Sequence, residues 1–252
     1  MGLFDLQGRM ALVTGAAEGL GLAIAQALAD LGAAVVVSDR SGEGCEQAAA
    51  DLRARGASAT AVAADLLDPA QLDALAGRDT PVDVLVCSAG IAESAGPARR
   101  ENDAEWNRAL ADSLRAAVQL SNRVIPRMAA AGQGSVVLVS SVARLRGKRP
   151  TGLYGMSRAA LGQLTRSLAL RCGPQGVRVN AVCPGLIRTR HAELLPAEAA
   201  YLERKLRAVP LRRVGEPSEV AGVVAMLASA AGAYVTGQLF VVDGGSSLGD
   251  GT

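Results

Sequence analysis

The sequence predicts an α/β fold: a single Rossmann-type, doubly wound parallel sheet of about seven strands flanked by helices. Three observations lead to this prediction. Short aliphatic runs alternate with helical stretches along all 252 residues, a glycine-rich turn joins the first strand to the first helix, and no linker divides the chain. Such alternation produces right-handed βαβ units and therefore a parallel sheet. We expect residues 1–252 to form one domain.

The strands are predicted from continuous aliphatic runs, which are typical of strands buried on both faces of a sheet. They are Met10–Thr14, Ala34–Ser38, Val82–Cys87, Ser135–Ser140, Val177–Val182 and Gln238–Val242, with a weaker strand at Thr60–Ala64. The helices are predicted at Gly19–Leu31, Glu43–Arg55, Pro69–Ala76, Asp103–Ala131, Gly152–Cys172 and Pro217–Ser229. Residues 186–215 are too long for an ordinary connection, so we expect a substrate lid that carries a helix or two.

Composition excludes several classes of protein. The net charge of +2 is much smaller than the positive charge that a nucleic-acid-binding protein carries to contact phosphates. No apolar run reaches the ~20 residues needed to cross a bilayer, and Met1–Arg9 has no signal-peptide core. The four cysteines show no metal-ligand spacing and are expected to be reduced. We therefore expect a cytoplasmic protein with no nucleic acid, membrane or metal partner.

The first predicted strand leads into a loop with the sequence Thr14-Gly15-Ala16-Ala17-Glu18-Gly19-Leu20-Gly21, and then into a helix. Glycines let backbone N–H groups approach a phosphate, and the start of a helix favours negative charge. Because the loop opens a βαβ unit, it predicts a dinucleotide site. A glycine-rich turn without a ligand is the alternative.

Asp39 follows the second strand, 18 residues beyond Gly21, where a carboxylate can bind the ribose hydroxyls of an adenosine. This carboxylate would repel a 2′-phosphate. Glu18 adds a second negative charge nearby, and Arg40 offsets part of both. We therefore predict NAD(H) rather than NADP(H) as the cofactor; an aspartate that only caps a turn is the alternative.

The glycine loop resembles the TGxxxGxG motif of the classical short-chain dehydrogenase/reductase (SDR) family, and further motifs of that family follow in order. They are Asp65; Ser88-Ala89-Gly90; Ser141 with Tyr154 13 residues later; Pro184-Gly185 with Thr189; Arg213-Val214-Gly215-Glu216-Pro217; Val235-Thr236-Gly237-Gln238; and Asp243-Gly244-Gly245. The resemblance runs from about Leu6 to Gly245. As an ordered set, these motifs are specific for the family.

The resemblance implies an oxidoreductase that transfers a hydride between NAD(H) and an alcohol or carbonyl substrate. Tyr154 would be the acid/base, Ser141 would orient the substrate oxygen, and Arg158 would supply the cation that a tyrosine needs to act as a base. The implied cofactor-binding residues are Gly15, Glu18, Gly19, Leu20, Gly21, Asp39, Arg40, Asp65, Leu66, Ala89, Gly90, Tyr154, Arg158, Pro184, Gly185, Ile187 and Thr189.

Three features of the sequence depart from the family pattern. Arg158 stands where the family has a lysine, Ser113 where its long fourth helix carries an asparagine, and Cys87-Ser88 where it has two asparagines. By its position Ser113 is a fourth implied catalytic residue, which would relay or position water differently from an asparagine. Arginine is a permanent cation but cannot release a proton. A working oxidoreductase and a catalytically impaired dinucleotide-binding homologue, acting as a regulator or subunit partner, are both open interpretations. Non-redox chemistry on the same cofactor site is a third.

Basic residues surround the expected substrate cleft. They are Arg144, Arg146, Lys148, Arg149, Arg188, Arg190, Arg204, Lys205, Arg207, Arg212 and Arg213. Such a cluster would attract an anionic alcohol or ketone substrate. A solvated surface or an intersubunit ion-pair surface is the other interpretation, which the nearby Glu193, Glu198 and Glu203 support. His191 is assigned no catalytic role. Apolar positions on several faces of the helices at 103–131 and 152–172 favour a homodimer or homotetramer, or a hetero-oligomer with a related subunit.

Overall fold

The strands of the structure, a computed structural model, form one parallel sheet. They are β1 (Met10–Thr14), β2 (Ala34–Asp39), β3 (Ala59–Ala63), β4 (Val84–Cys87), β5 (Gly134–Val139), β6 (Val177–Pro184) and β7 (Leu239–Val242). The structure describes residues 2–90, 107, 110–145, 152–189 and 199–249. The strand order β3-β2-β1-β4-β5-β6-β7 confirms the doubly wound sheet. The winding reverses between β1 and β4, where folds of this kind bind their ligands.

The described helices are α1 (Gly19–Asp30), α2 (Gly42–Ala54), α3 (Pro69–Ala76), α4 (Ala116–Ala130), α5 (Gly152–Cys172), α6 (Ala199–Arg207) and α7 (Pro217–Ala228). Predicted bounds differ from these by one or two residues, which is ordinary fraying at element ends. The long helix predicted at Asp103–Ala131 is wrong as a regular α-helix. Residues Ala111–Arg115 form a π-helical turn ahead of α4, and Asp103 lies outside the described residues. The helix predicted within 186–215 corresponds to α6.

The core has two aliphatic layers, one on each face of the sheet. Alternate strand residues point to opposite faces. Val13 belongs to the layer covered by α1, α2 and α7, where Ile24 is buried. Leu12 belongs to the layer covered by α3, α4 and α5, where Leu120 is buried. Burial on both faces explains why the strands are continuous aliphatic runs.

The four cysteines are free thiols and all are buried. Within the described ranges, no group of histidine, cysteine and acidic side chains could hold a metal ion. None of the helices in those ranges is long and apolar enough to cross a membrane.

Candidate active site

The glycine loop packs directly against the segment that follows β4. A Cβ on Gly15 would lie 2.8 Å from the backbone nitrogen of Ala89, and one on Gly21 would lie 2.0 Å from the carbonyl oxygen of Gly15. Neither position can accept a side chain without movement of the backbone. Helix α1 starts at Gly19, and the side chain of Glu18 makes no capping hydrogen bond. The N–H groups of its first turn are therefore suited to an anionic ligand.

Two threonines border this loop. The Thr14 hydroxyl lies 3.4 Å from the Val86 carbonyl, to which it donates, and 3.4 Å from the Ala89 nitrogen, from which it accepts. Thr189 approaches from the other side, with its methyl carbon 3.8 Å from the position of a Cβ on Gly19. The structure thus brings the predicted residues Gly19, Ala89 and Thr189 to one edge of the sheet. The bridging role of Thr14 was not predicted.

Two aspartates follow the neighbouring strands β2 and β3. Asp39 is half-buried, and its Oδ1 accepts hydrogen bonds from the backbone N–H groups of Arg40 (2.7 Å) and Ser41 (3.5 Å). Asp65 accepts one from the backbone N–H of Leu67 (2.9 Å). Both carboxylates therefore shape local turns, as the alternative interpretation of Asp39 expected. Both also stand at the ligand-binding edge, where the dinucleotide hypothesis needs them.

Three of the predicted catalytic residues, Ser141, Tyr154 and Arg158, lie just after β5 and in the first two turns of α5. Ser141 begins a short 3₁₀ turn and accepts a hydrogen bond from the N–H of Ala143 at 3.1 Å. Arg158 is only 6% exposed, and its Cζ lies 4.9 Å from the centroid of the Tyr154 ring. Its Nη1 donates to the Val139 carbonyl at 3.0 Å. The guanidinium is therefore held between the Tyr154 ring and the sheet.

Gly90 and Ser140 fix Arg158 in this place. A Cβ on Gly90 would lie 2.6 Å from Nη2 of Arg158, so the guanidinium fills the space that any side chain at 90 would need. The buried Ser140 hydroxyl donates to the Arg158 carbonyl at 2.8 Å. This bond ties α5, and with it Tyr154, to the strand end that precedes Ser141. Ser140 is not predicted as a site residue from the sequence. Its position next to Ser141 is the one feature of the sequence that points to it.

Two of the departures from the family pattern are also buried. Ser113 lies in the π-helical turn, is 2% exposed, and its hydroxyl has no hydrogen-bond partner among the described residues. π-Helical turns occur frequently at functional sites. Cys87 is buried, and burial raises its pKa to about 12. It is therefore a neutral core thiol, as predicted.

The two ends of the predicted lid are joined at its base. Ile187 pairs with Gly215 in an isolated parallel bridge. Arg188 forms an ion pair with Glu216 at 2.9 Å, and Arg213 forms one with Glu219 at 2.5 Å. Part of the basic cluster is thus engaged in ion pairs within the chain. Arg146, Lys148, Arg149, Arg190, His191, Glu193 and Glu198 lie outside the described residues.

The Arg213–Glu219 ion pair gives a prediction about acid stability. The hydrogen bond from Arg213, followed by one from the Glu216 backbone, lowers the pKa of Glu219 from 4.5 to about 2. Because this pKa is depressed in the folded state, the stabilisation is fully present above pH 4.5 and disappears as the pH falls towards 2. We expect Glu219→Gln to have a lower urea midpoint than the wild type at neutral pH, and the two midpoints to converge near pH 2.

Arg213→Gln serves as the matched control, because it removes the same ion pair from the other side. It should reproduce the pH-dependent gap, and the double variant should add little to either single change. A gap that stays constant from neutral pH to pH 2 would contradict this interpretation.

The residues at this edge fit a dinucleotide. The start of α1 carries no side-chain cap from Glu18, a half-buried carboxylate stands at the end of β2, and Thr189 faces Gly19 across the glycine loop. Pro184 and Ile187, predicted for the nicotinamide side, are buried at the end of β6 and just after it.

Comparisons with known proteins agree with this geometry. The profile of a family described as Enoyl-(Acyl carrier protein) reductase matches residues 15–247. Dehydrogenase/reductase SDR family member 4 of Sus scrofa is 36% identical over 246 residues, which cover 96% of this chain and 88% of that protein. Cis-4-hydroxycyclohexanecarboxylate dehydrogenase of Sinomonas cyclohexanicum is 39% identical over 243 residues, covering 94% and 96%.

A solved structure shows the same architecture. It is that of a putative NAD(P) dependent gluconate 5-dehydrogenase from Beutenbergia cavernae with bound NADP, and it superposes with a TM-score of 0.94 at 36% identity. The match covers 98% of this chain and 100% of that one. The profile, the two relatives and this structure each match nearly the whole chain. The chain therefore belongs to the short-chain dehydrogenase/reductase family.

Proposed function

We propose that this protein is an NAD(H)-dependent oxidoreductase that interconverts an alcohol and a carbonyl compound. The observation that carries the proposal is the convergence of Tyr154 and Arg158 on the strand end that precedes Ser141, secured by the 2.8 Å bond from Ser140. NAD(H), when bound, supplies the acceptor or donor of the hydride. The side chains of this protein then have to move one proton and to orient the substrate.

Tyr154 is the proposed acid/base. In the oxidation direction its phenolate takes the hydroxyl proton of the alcohol, and in reduction its phenol returns a proton to the carbonyl oxygen. The Ser141 hydroxyl donates a hydrogen bond to that oxygen and so stabilises the negative charge that develops there. Arg158 stabilises the tyrosine anion by its permanent charge. Since a guanidinium does not release protons, Arg158 does not carry the proton onwards.

The cofactor would be held along the edge described above. The glycine loop and the first turn of α1 would bind the pyrophosphate, and Asp39 the adenosine ribose. Asp65 and Leu66 would border the adenine, while Pro184, Ile187 and Thr189 would border the nicotinamide. We propose NAD(H) because the Asp39 carboxylate, at the end of β2, would repel a 2′-phosphate. The NADP in the related gluconate dehydrogenase is a property of that protein.

The Asp39 proposal predicts a change in cofactor preference. In a fluorescence titration, the wild type should bind NADH at least about tenfold more tightly than NADPH, and Asp39→Ser should reverse or abolish that preference. Asp65→Asn is the control, because it should weaken both cofactors alike. Equal affinity of the wild type for both cofactors would contradict the role of Asp39. Failure to bind either cofactor would contradict the dinucleotide site itself, because the impaired homologue is also expected to bind NADH.

We further propose that the substrate carries a carboxylate, and that residues 186–215 form a lid over it. Residues 199–215 contain five basic side chains and one acidic side chain, which would attract an anion. Two of the related proteins are named for gluconate and for hydroxycyclohexanecarboxylate, both hydroxy acids. The test is a panel of hydroxy acids, each assayed beside its neutral amide. Equal turnover of acids and amides would contradict the anionic preference.

The impaired homologue remains the second candidate, because the buried Ser113 hydroxyl lacks a partner among the described residues. It predicts NADH binding without turnover, and a gain of turnover when Arg158→Lys and Ser113→Asn are combined.

We propose a cytoplasmic homodimer or homotetramer, supported by the apolar side chains that α5 exposes, among them Leu170, which is 82% exposed. Light scattering after size-exclusion chromatography measures this state, and mixing with a related subunit tests the hetero-oligomer.

A further inference from the structure

Asp243, directly after β7, organises a turn formed by residues 243–247, here named the Asp243 turn. Its Oδ1 accepts a hydrogen bond from the N–H of Gly245 at 2.8 Å. Its Oδ2 accepts bonds from the Ser246 hydroxyl at 3.0 Å and the Ser247 N–H at 2.7 Å. Burial raises the pKa of this carboxyl, but these hydrogen bonds outweigh burial and keep the pKa below its ordinary value. The side chain therefore acts as a carboxylate.

One side of the Asp243 turn packs against the end of the predicted lid. Its two glycines, Gly244 and Gly245, have left-handed φ values of 63° and 85°. A Cβ on Gly244 would lie 2.9 Å from Cγ1 of Val209, and one on Gly245 would lie 2.8 Å from Cγ of Pro210. The carbonyl of Gly244 also accepts a hydrogen bond from the Leu211 N–H at 3.2 Å. The turn thus fixes the path of residues 209–211.

The other side of the turn packs against the loop after β6. The Cβ of Asp243 lies 2.6 Å from the position that a Cβ on Gly185 would occupy, so the two residues are in direct contact. The N–H of Gly185 donates to the Val242 carbonyl at 2.9 Å. Gly185 follows Pro184 at the edge proposed for the nicotinamide. The Asp243 turn therefore lies between residues 209–211 on one side and the Pro184-Gly185 loop on the other.

We propose that Asp243 is a positioning residue that holds residues 208–215 and the Pro184-Gly185 loop in a fixed relation, and thereby sets the affinity for substrate. This inference rests on the proposed function, in which both segments border the substrate. Asp243 touches neither the substrate nor the reacting atoms in this proposal. It acts through the turn, because the hydrogen bonds that its carboxylate accepts come from residues 245–247.

The test compares Asp243→Asn with the wild type by amide hydrogen exchange without substrate and by steady-state kinetics. We expect exchange of the amides in 185–188 and 206–215 to accelerate by about tenfold, because hydrogen bonds to a charged acceptor are lost. We expect KM to rise about tenfold while kcat stays within about twofold, because the loss affects binding of substrate and transition state alike. Ser246→Ala, which removes only one of the hydrogen bonds to Asp243, should shift the same amides less.

Asp83→Asn is the matched control. Asp83 also bonds two neighbours, the Met10 N–H at 2.9 Å and Arg9 Nη1 at 3.0 Å, but at the opposite end of the sheet. It should lower stability without changing KM or exchange at 206–215. The proposal is overturned if Asp243→Asn and Asp83→Asn give the same exchange pattern, or if KM is unchanged while exchange accelerates. If the wild type shows no turnover, the proposed function fails, and the exchange data alone decide whether Asp243 positions the two segments.

Discussion

Replacement of Tyr154 by phenylalanine should lower kcat/KM by about three orders of magnitude, because general acid–base catalysis contributes roughly 10²–10⁴ and the variant has no phenolic proton. The ring itself should stay in place, since its contact with Arg158, 4.9 Å from the ring centroid, does not involve the hydroxyl. We therefore expect NADH to bind within about threefold of the wild-type affinity. The measurement is steady-state kinetics with the best substrate of the panel, beside a cofactor titration.

The matched control for this change is Tyr234→Phe. Tyr234 is fully exposed and lies after α7, so loss of its hydroxyl should leave kcat/KM unchanged. Retention of more than about a tenth of the activity in Tyr154→Phe would remove Tyr154 from the acid/base role, because the loss would fall below the usual range of such catalysis. The Ser141 hydroxyl would then be the first group to test.

Substitution of Gly21 by alanine should have the second large effect. The new Cβ would lie 2.0 Å from the Gly15 carbonyl oxygen, and backbone atoms cannot yield as the end of a side chain can. Overpacking of this kind costs about 1–3 kcal/mol or more, so we expect a clear fall in the urea midpoint. We also expect NADH binding to be lost, since the shift would displace the first turn of α1.

Gly222→Ala is the control for Gly21→Ala. Gly222 lies exposed in α7, and a Cβ there meets no atom within 4 Å. Alanine is the better helix former by about 1 kcal/mol, so this variant should be slightly more stable than the wild type. If Gly21→Ala were as stable as Gly222→Ala and still bound NADH, the close packing of Gly21 against the Gly15 carbonyl would be contradicted.

The sheet and most of its helices could be predicted from the sequence because their signals are local stretches of residues. Strands buried on both faces, such as β1, are continuous aliphatic runs, and the glycine loop places the first helix. The π-helical turn at Ala111–Arg115 could not be predicted, because a changed hydrogen-bond register leaves the residue pattern of a helix intact. For the same reason the sequence could not predict that the Ser113 hydroxyl is buried and has no hydrogen-bond partner among the described residues.

Much of the candidate site depends on contacts between residues distant in sequence. The orientation of Arg158 depends on Gly90, which leaves space for the guanidinium. The sequence indicates Asp243 only as part of the Asp243-Gly244-Gly245 motif. Its positioning role could not be predicted, because that role depends on contact with Gly185. Motif spacing predicts which residues reach the edge of the sheet. It does not predict which of these residues are in contact with one another.

The buried guanidinium of Arg158 also determines how this site can be chemically modified. Acylation and Schiff-base formation require a free amine, and a guanidinium offers none under physiological conditions. The chain contains only two lysines, Lys148 and Lys205, and neither stands beside Tyr154 in the sequence. Reagents or modifying enzymes that acetylate lysine therefore cannot remove the positive charge next to Tyr154. The cation that contacts the Tyr154 ring thus lies beyond control by lysine acetylation.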